Sequence, residues 1–235
     1  MTTPIRTGSI PIAMTEHAPN PGLLRLLTWL SPAFPTGAFA YSQGLEWAVE
    51  VGDVTNRDTL REWLRDVLRH GAGRSDCILA RHAHRASDDR AALVELAALA
   101  AATAPGRERQ LESLGQGNAF VLASGPWRGD LFEGMEPVPY PVAVGALAGA
   151  CGIAEQDMAL GFLQACAGNL VSAAVRLVPL GQTDGLAVLA ALEGDLLAVA
   201  GETREATLDD LGSACFRADL AAMRHETQYT RLFRS

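Results

Sequence analysis

Positive charge is scarce in this sequence. Its 235 residues carry 19 basic side chains against 27 acidic ones, a net charge of −8. No basic face is available to neutralise phosphates, which excludes a nucleic-acid binder. Cysteine is scarce too: Cys77, Cys151, Cys166 and Cys215 lie far apart with no CxxC pair. Neither a zinc knuckle nor a redox motif is present, and free thiols in a reducing compartment are expected. Residues 1–20 scatter Pro4, Arg6, Gly8, Pro11, Glu16 and Pro19 among isolated apolar residues, without the continuous apolar run of a signal peptide. Residues 1–22 are therefore expected to be a flexible leading segment, and the protein to be cytoplasmic.

Familiar catalytic and nucleotide-binding patterns are also missing. The chain has no GxxxxGK[ST] loop, no GxSxG, no HExxH and no EF-hand loop, and Gly115-Gln116-Gly117 is too short for a dinucleotide loop. These absences argue against an enzyme, so neither a catalytic residue nor a cofactor is assigned. His82 and His84 stand two apart, about 200° around a helix, unlike the i, i+4 pair of a helical metal site. They are expected to be solvated, and no metal site is assigned.

What the chain does have is 49% hydrophobic residues, enough for a substantial core in one domain. No period-2 alternation favours strands, whereas three-four spacing recurs throughout. It is clearest where Leu60, Trp63, Leu64, Val67 and Leu68 form one face, Thr55 or Asn56 can cap, and Gly71 stops the run. Similar patterns cover 23–30, 42–51, 75–86, 88–103, 105–123, 142–151, 155–177, 184–200 and 208–223. The expectation is an all-α bundle of about nine to ten helices spanning 23–223, with the Pro- and Gly-rich loop 125–141 joining two halves. Met158–Val175 contains no charge and is about the shortest length able to span a bilayer, but Gln164, Asn169 and Ser172 interrupt it. It reads as a central helix buried on all sides, not a membrane span.

Three segments concentrate chemistry. In Leu30–Glu46, Pro35, Gly37 and Gly44 can hold Phe39, Tyr41, Ser42, Gln43 and Glu46 in place for a partner, or form a turn packed on the core. In 176–185, Pro179 ends a helix, Gly181 and Gly185 flank a tight turn, and Thr183 or Asp184 can cap the next helix. Arg176 and Gln182 keep free donors there. The terminus at 224–235 carries Arg224, His225, Glu226, Gln228, Tyr229, Arg231, Phe233 and Arg234. Arginines and aromatics of this kind carry binding energy at interfaces, so it reads as a docking tail. The alternative is a helix end whose aromatics fold back onto the body. His225 can donate to a partner's carboxylate or carbonyl, reach a metal, or make a structural hydrogen bond.

Taken together, Pro-Thr-Gly-Ala-Phe-Ala-Tyr-Ser-Gln-Gly-Leu-Glu at 35–46, Arg-Leu-Val-Pro-Leu-Gly-Gln-Thr-Asp-Gly at 176–185 and Met-Arg-His-Glu-Thr-Gln-Tyr-Thr-Arg-Leu-Phe-Arg-Ser at 223–235 resemble the urease accessory protein F (UreF) family in order and spacing. Ala40 and Leu186 depart from the family pattern. The resemblance implies an all-helical, dimer-forming protein that is not an enzyme. It would join UreD (also called UreH) and recruit the GTPase UreG to apo-urease for nickel insertion. The tail from Arg224 to Arg234 would become ordered on UreD, and the two internal segments would face UreG or the dimer partner. Two alternatives accompany it: a GTPase activator using Arg176 as an arginine finger, and a small helical enzyme built on Tyr41, Glu46 and His225.

Overall fold

The computed structural model describes residues 21–235. All regular structure among the described residues is helical: α1 (Pro21–Trp29), α2 (Leu45–Glu50), α3 (Arg57–His70), α4 (Ala72–Arg85), α5 (Arg90–Ala102), α6 (Arg107–Ala123), α7 (Gly125–Arg128), α8 (Tyr140–Ala150), α9 (Glu155–Leu177), α10 (Gln182–Glu202) and α11 (Phe216–His225). Single 3-10 turns occur at Ala38–Ala40 and Leu208–Asp210. The all-α expectation holds. That for the leading segment lies outside the described residues up to residue 20, and Pro21 and Gly22 already belong to α1.

Local chemistry explains the best-defined helix. The Asn56 side chain accepts from the backbone N–H groups of Asp58 and Thr59 at 3.0 and 3.1 Å, and Thr59 Oγ1 accepts the Asn56 N–H at 3.1 Å. This reciprocal box satisfies donors that a helix start leaves open, and it settles the cap as Asn56. The apolar stripe of α3 then faces α10 and α9 inside the first of two hydrophobic clusters.

That first cluster joins α2, α3, α10, α11 and the C-terminal part of α9; the second joins α1, α4, α5, α6 and α8 with the start of α9. The long helix α9 ties the two together, giving Met158 and Phe162 to one and Leu163, Leu170 and Val171 to the other. The second cluster is organised by α8 lying hard against α4. A Cβ at Gly145 would stand 2.0 Å from the Ala80 carbonyl oxygen, so only glycine allows the two backbones to come this close.

Several expectations are corrected. Helix α9 is buried on one side only: Leu160, Gln164, Gly168 and Ser172 line an open cleft. It is the one helix among the described residues long and apolar enough to cross a membrane, and half of that stretch is buried in the fold. The segment 125–141 does not separate two halves. Gly125 and Pro126 open the single turn α7, Phe132, Met135 and Val138 are buried, and both α6 and α8 belong to the same cluster. The expected helix at 208–223 is broken. Ser75 Oγ donates to the Gly212 carbonyl at 2.7 Å and the Ala214 N–H to that of His70 at 2.7 Å, so the chain spends its backbone groups on the α3–α4 corner before α11 starts. His82 and His84 are not solvated: their Nε2 atoms lie 3.0 and 2.7 Å from the carbonyls of Ala206 and Ile153. Gly181, with no side-chain cap, precedes α10, so neither Thr183 nor Asp184 caps it.

Candidate functional site

The terminus does not hang free. It lies along a junction formed by the loop before α2, by α2 itself and by α6. Two consecutive left-handed residues, Gln43 (φ 57°) and Gly44 (φ 79°), turn the chain into α2. Gly44 passes so close to α11 that a Cβ would sit 2.4 Å from the Ala222 nitrogen. A side chain there meets both backbone strain and a backbone clash, which accounts for the glycine. This crossing sets Glu46 beside His225.

Three carboxylates then hold the last eleven residues. Glu46 accepts the backbone N–H groups of Leu232 and Phe233 at 2.6 and 2.9 Å, with His225 Nε2 3.1 Å away. Glu108 lies 2.6 Å from His225 Nδ1 and 2.8 Å from Arg231 Nη1. Glu112 accepts from Ser235 Oγ at 2.7 Å and from the amides of Gln43 and Gln116, each at 3.0 Å. Hydrogen bonds to charged groups are stronger than neutral ones, and an N–H or hydroxyl left without its carboxylate here would be orphaned. Backbone pairing adds to the grip: the Arg234 N–H donates to Ala40 and the Ser42 N–H to Ser235, both at 2.8 Å. In return Glu226 Oε1 accepts from the Arg107 N–H at 2.9 Å, an acidic group at the open N-terminus of α6. Gln228 donates to Glu50.

The tail is thereby sorted into two faces. His225 is 0% exposed, and Gln228, Phe233 and Ser235 are buried, while Arg224, Arg231, Leu232 and Arg234 are exposed and Tyr229 is 100% exposed. Arg176 does not have the free donors expected of it. Its Nη2 donates to the Phe39 carbonyl at 2.7 Å and its guanidinium lies 4.3 Å above the Phe233 ring. It joins the internal loop to the tail, which leaves it poorly placed to project as a finger.

Two of the three chemical segments therefore converge, with Arg176 bridging them. The rest of 176–185 does not join: Gln182 is exposed, Asp184 faces Arg57 at 3.7 Å, and Gly185 packs against Val171 and Val175. Pro35 is exposed, and Gly37 (φ 73°) begins the 3-10 turn that leaves Phe39 69% exposed. Pro179 follows Val178, the extended residue that ends α9.

Glu46 and His225 are in contact and Tyr41 lies nearby, its hydroxyl beside Gly115. These are the residues of the small-enzyme reading, yet none lines the large cleft. The two carboxylates occupy opposite ring nitrogens of His225, so their lone pairs do not converge on one ion. Among the described residues no group of three acidic, histidine or cysteine side chains could hold a metal.

Glu108, Glu112, Gln116 and Glu50 were not singled out from the sequence. The signal that could have found the first three is a polar residue at every fourth position of α6, one stripe down a helix whose neighbouring positions are core.

A cleft of about 910 Å³ adjoins the junction, walled by α1 and α9 and floored by Asp76, Arg109 and Glu112. Burial pushes the Asp76 carboxyl up to about 6 against the pull of Arg109, and pushes the Cys166 thiol up to about 12. Burial also opposes the charge of Arg109, but Glu112 and Asp76 more than offset it and hold the guanidinium above its usual range.

Comparison with known proteins places this arrangement in context. The profile of the UreF family matches residues 54–193. A urease accessory protein UreF of Rhodopseudomonas palustris strain TIE-1 is 49% identical, with both chains covered completely. UreF proteins of two Bradyrhizobium strains, BTAi1 and ORS 278, are each 53% identical, covering 95% and 97% of this chain and 95% and 98% of their own. The tail lies outside the profile match and inside the full-length alignment with the Rhodopseudomonas protein.

Proposed function

The chain belongs to the UreF family, and from that premise we propose that it serves urease maturation by binding, not by turnover. It joins UreD (UreH) and brings the GTPase UreG to apo-urease in the cytoplasm, as a homodimer, so that nickel reaches the urease active site. The observation that carries the UreD contact is the two-faced terminus. Its inner face is spent on Glu46, Glu108 and Glu112, so the outer face is held in a defined position. That outer face offers Arg224, Tyr229, Leu232 and Arg234, with Arg231 exposed beside its bond to Glu108, and it continues onto the exposed Phe216, Leu220 and Met223 of α11.

Exposed aromatic, aliphatic and arginine groups on a held segment are what an interface hot spot requires, and prior ordering spares the entropy of fixing them. The resemblance implies that the tail becomes ordered on UreD, and the carboxylates on its inner face support the position it would take there. His225, Glu226, Gln228 and Phe233 support the contact by holding the segment. Phe39 and Gln182, exposed on the other two segments, supply contacts for UreG or the second protomer, and Tyr41, Ser42, Gln43, Glu46, Arg176 and Asp184 are assigned to the same contacts. Purified chain mixed with UreD should co-elute on size exclusion, and the complex should then capture UreG. A chain that never co-elutes with UreD contradicts the reading.

A further inference from the structure

We propose that Gln43 is a positioning residue for the docking tail: its side chain, anchored on Glu112, holds a turn that is unfavourable to its own backbone, and that turn sets the tail's seat. Only the consequence for docking rests on the UreD reading above, because the seat itself belongs to the chain alone. Gln43 is the one residue other than glycine with a positive φ among the described residues. It and Gly44 are the central pair of a turn closed by the Leu45 N–H, which donates to the Ser42 carbonyl at 3.1 Å. Positive φ at both central positions is the requirement of a type I′ turn, which Asn, Asp and Gly usually fill because they tolerate it. A glutamine there is strained, and such strain persists only where the surroundings over-determine it.

Glu112 supplies that constraint. It is 1% exposed, and its Oε1 accepts from the side-chain amides of Gln43 and Gln116 at 3.0 Å each. Its Oε2 accepts from Ser235 Oγ at 2.7 Å and pairs with Arg109 Nη1 at 2.5 Å. An asparagine at position 43 would suit the backbone better, but its amide stands one methylene short of the glutamine amide that reaches Glu112. The turn so held carries the grips on the tail. Before it, the Ala40 carbonyl accepts the Arg234 N–H and the Ser42 N–H donates to the Ser235 carbonyl, both at 2.8 Å. Within it, Gly44 crosses α11 at Ala222. After it, Glu46 accepts the N–H groups of Leu232 and Phe233. These grips lie on both sides of Gln43, so a change in its φ moves one set against the other and misaligns the seat.

The test separates the strain from the bond. Gln43→Ala keeps the left-handed strain and loses the bond to Glu112, whereas Gln43→Gly and Gln43→Asn relieve the strain as the bond is lost. Hydrogen–deuterium exchange of residues 226–235 is followed by mass spectrometry on the full chain, with α3 peptides as the reference for global stability. Gln43→Ala should accelerate tail exchange about tenfold, as unopposed left-handed strain implies. The Gly and Asn variants should stay within about threefold of the unmodified chain. Gly and Asn variants as fast as the Ala variant would reduce Gln43 to an ordinary hydrogen bond, and an Ala variant without effect would uncouple the turn from the tail. Either result overturns the proposal, and neither bears on whether UreD binds the tail.

Discussion

The crossing of α4 and α8 and the seat of the tail are both tightly packed, but they are built from opposite materials. At the crossing, Ala80, Ala83, Ala143, Ala146 and Leu147 exclude water, and Gly145 lets the backbones nearly touch. Apolar burial of this kind is non-directional and contributes to the stability of the whole domain. At the tail, carboxylates on α2 and α6 hold backbone N–H groups and a histidine from residues up to 187 positions away. Such contacts specify a position more than they add net stability. One region therefore keeps the molecule folded, and the other holds a surface in place.

The sharpest way to break the comparison is to strike each region separately. Gly145→Ala places a methyl group 2.0 Å from the Ala80 oxygen and should lower global stability by about 3 kcal/mol or more, the upper end for overpacking. Thermal unfolding followed by circular dichroism measures it. Glu46→Gln should act locally. It leaves an amide where a carboxylate accepted two backbone N–H groups and faced His225, costing the seat about 2 kcal/mol. Amide exchange at Leu232 and Phe233 should accelerate by more than tenfold while helical content stays constant.

Arg176→Ala removes the guanidinium above Phe233 and its bond to Phe39, a loss of about 1 kcal/mol in tail protection. GTP hydrolysis by UreG should be unchanged by this substitution. A hydrolysis gain from the intact chain that Arg176→Ala abolishes would instead favour the finger.

A pH-dependent effect lies beneath the cleft. Asp76 is raised from 3.8 to about 6 in the folded chain, so between those values the folded state binds more protons than the unfolded one. Stability from this group accordingly falls as pH rises from about 4 to 6, and the penalty is complete above that. Asp76→Asn should flatten that part of the stability–pH curve, measured by urea unfolding at each pH.

The same contrast explains what was legible in the sequence. The helices of the apolar clusters follow from three-four spacing, and α9 has its expected limits, because burying a stripe is a local property of the chain. The seat of the tail was legible only from its two ends, Glu46 and His225. Glu108 and Glu112 were not singled out because their partners, His225 and Ser235, are 117 and 123 residues away. Arg176 was noticed for its donors, but nothing nearby in sequence shows that Phe39 and Phe233 would occupy them. The break at Gly212–Ala214 was hidden for the same reason, its backbone bonds going to the distant His70 and Ser75.

The claim that the outer face of the held tail is the docking surface is tested most directly by Tyr229→Asp combined with Leu232→Asp. Both side chains are exposed, and Glu46 holds only the backbone of Leu232. Size exclusion with purified UreD should show the unmodified chain in the complex and the double variant eluting alone, with its helical content intact. A double variant that still co-elutes with UreD would contradict the account.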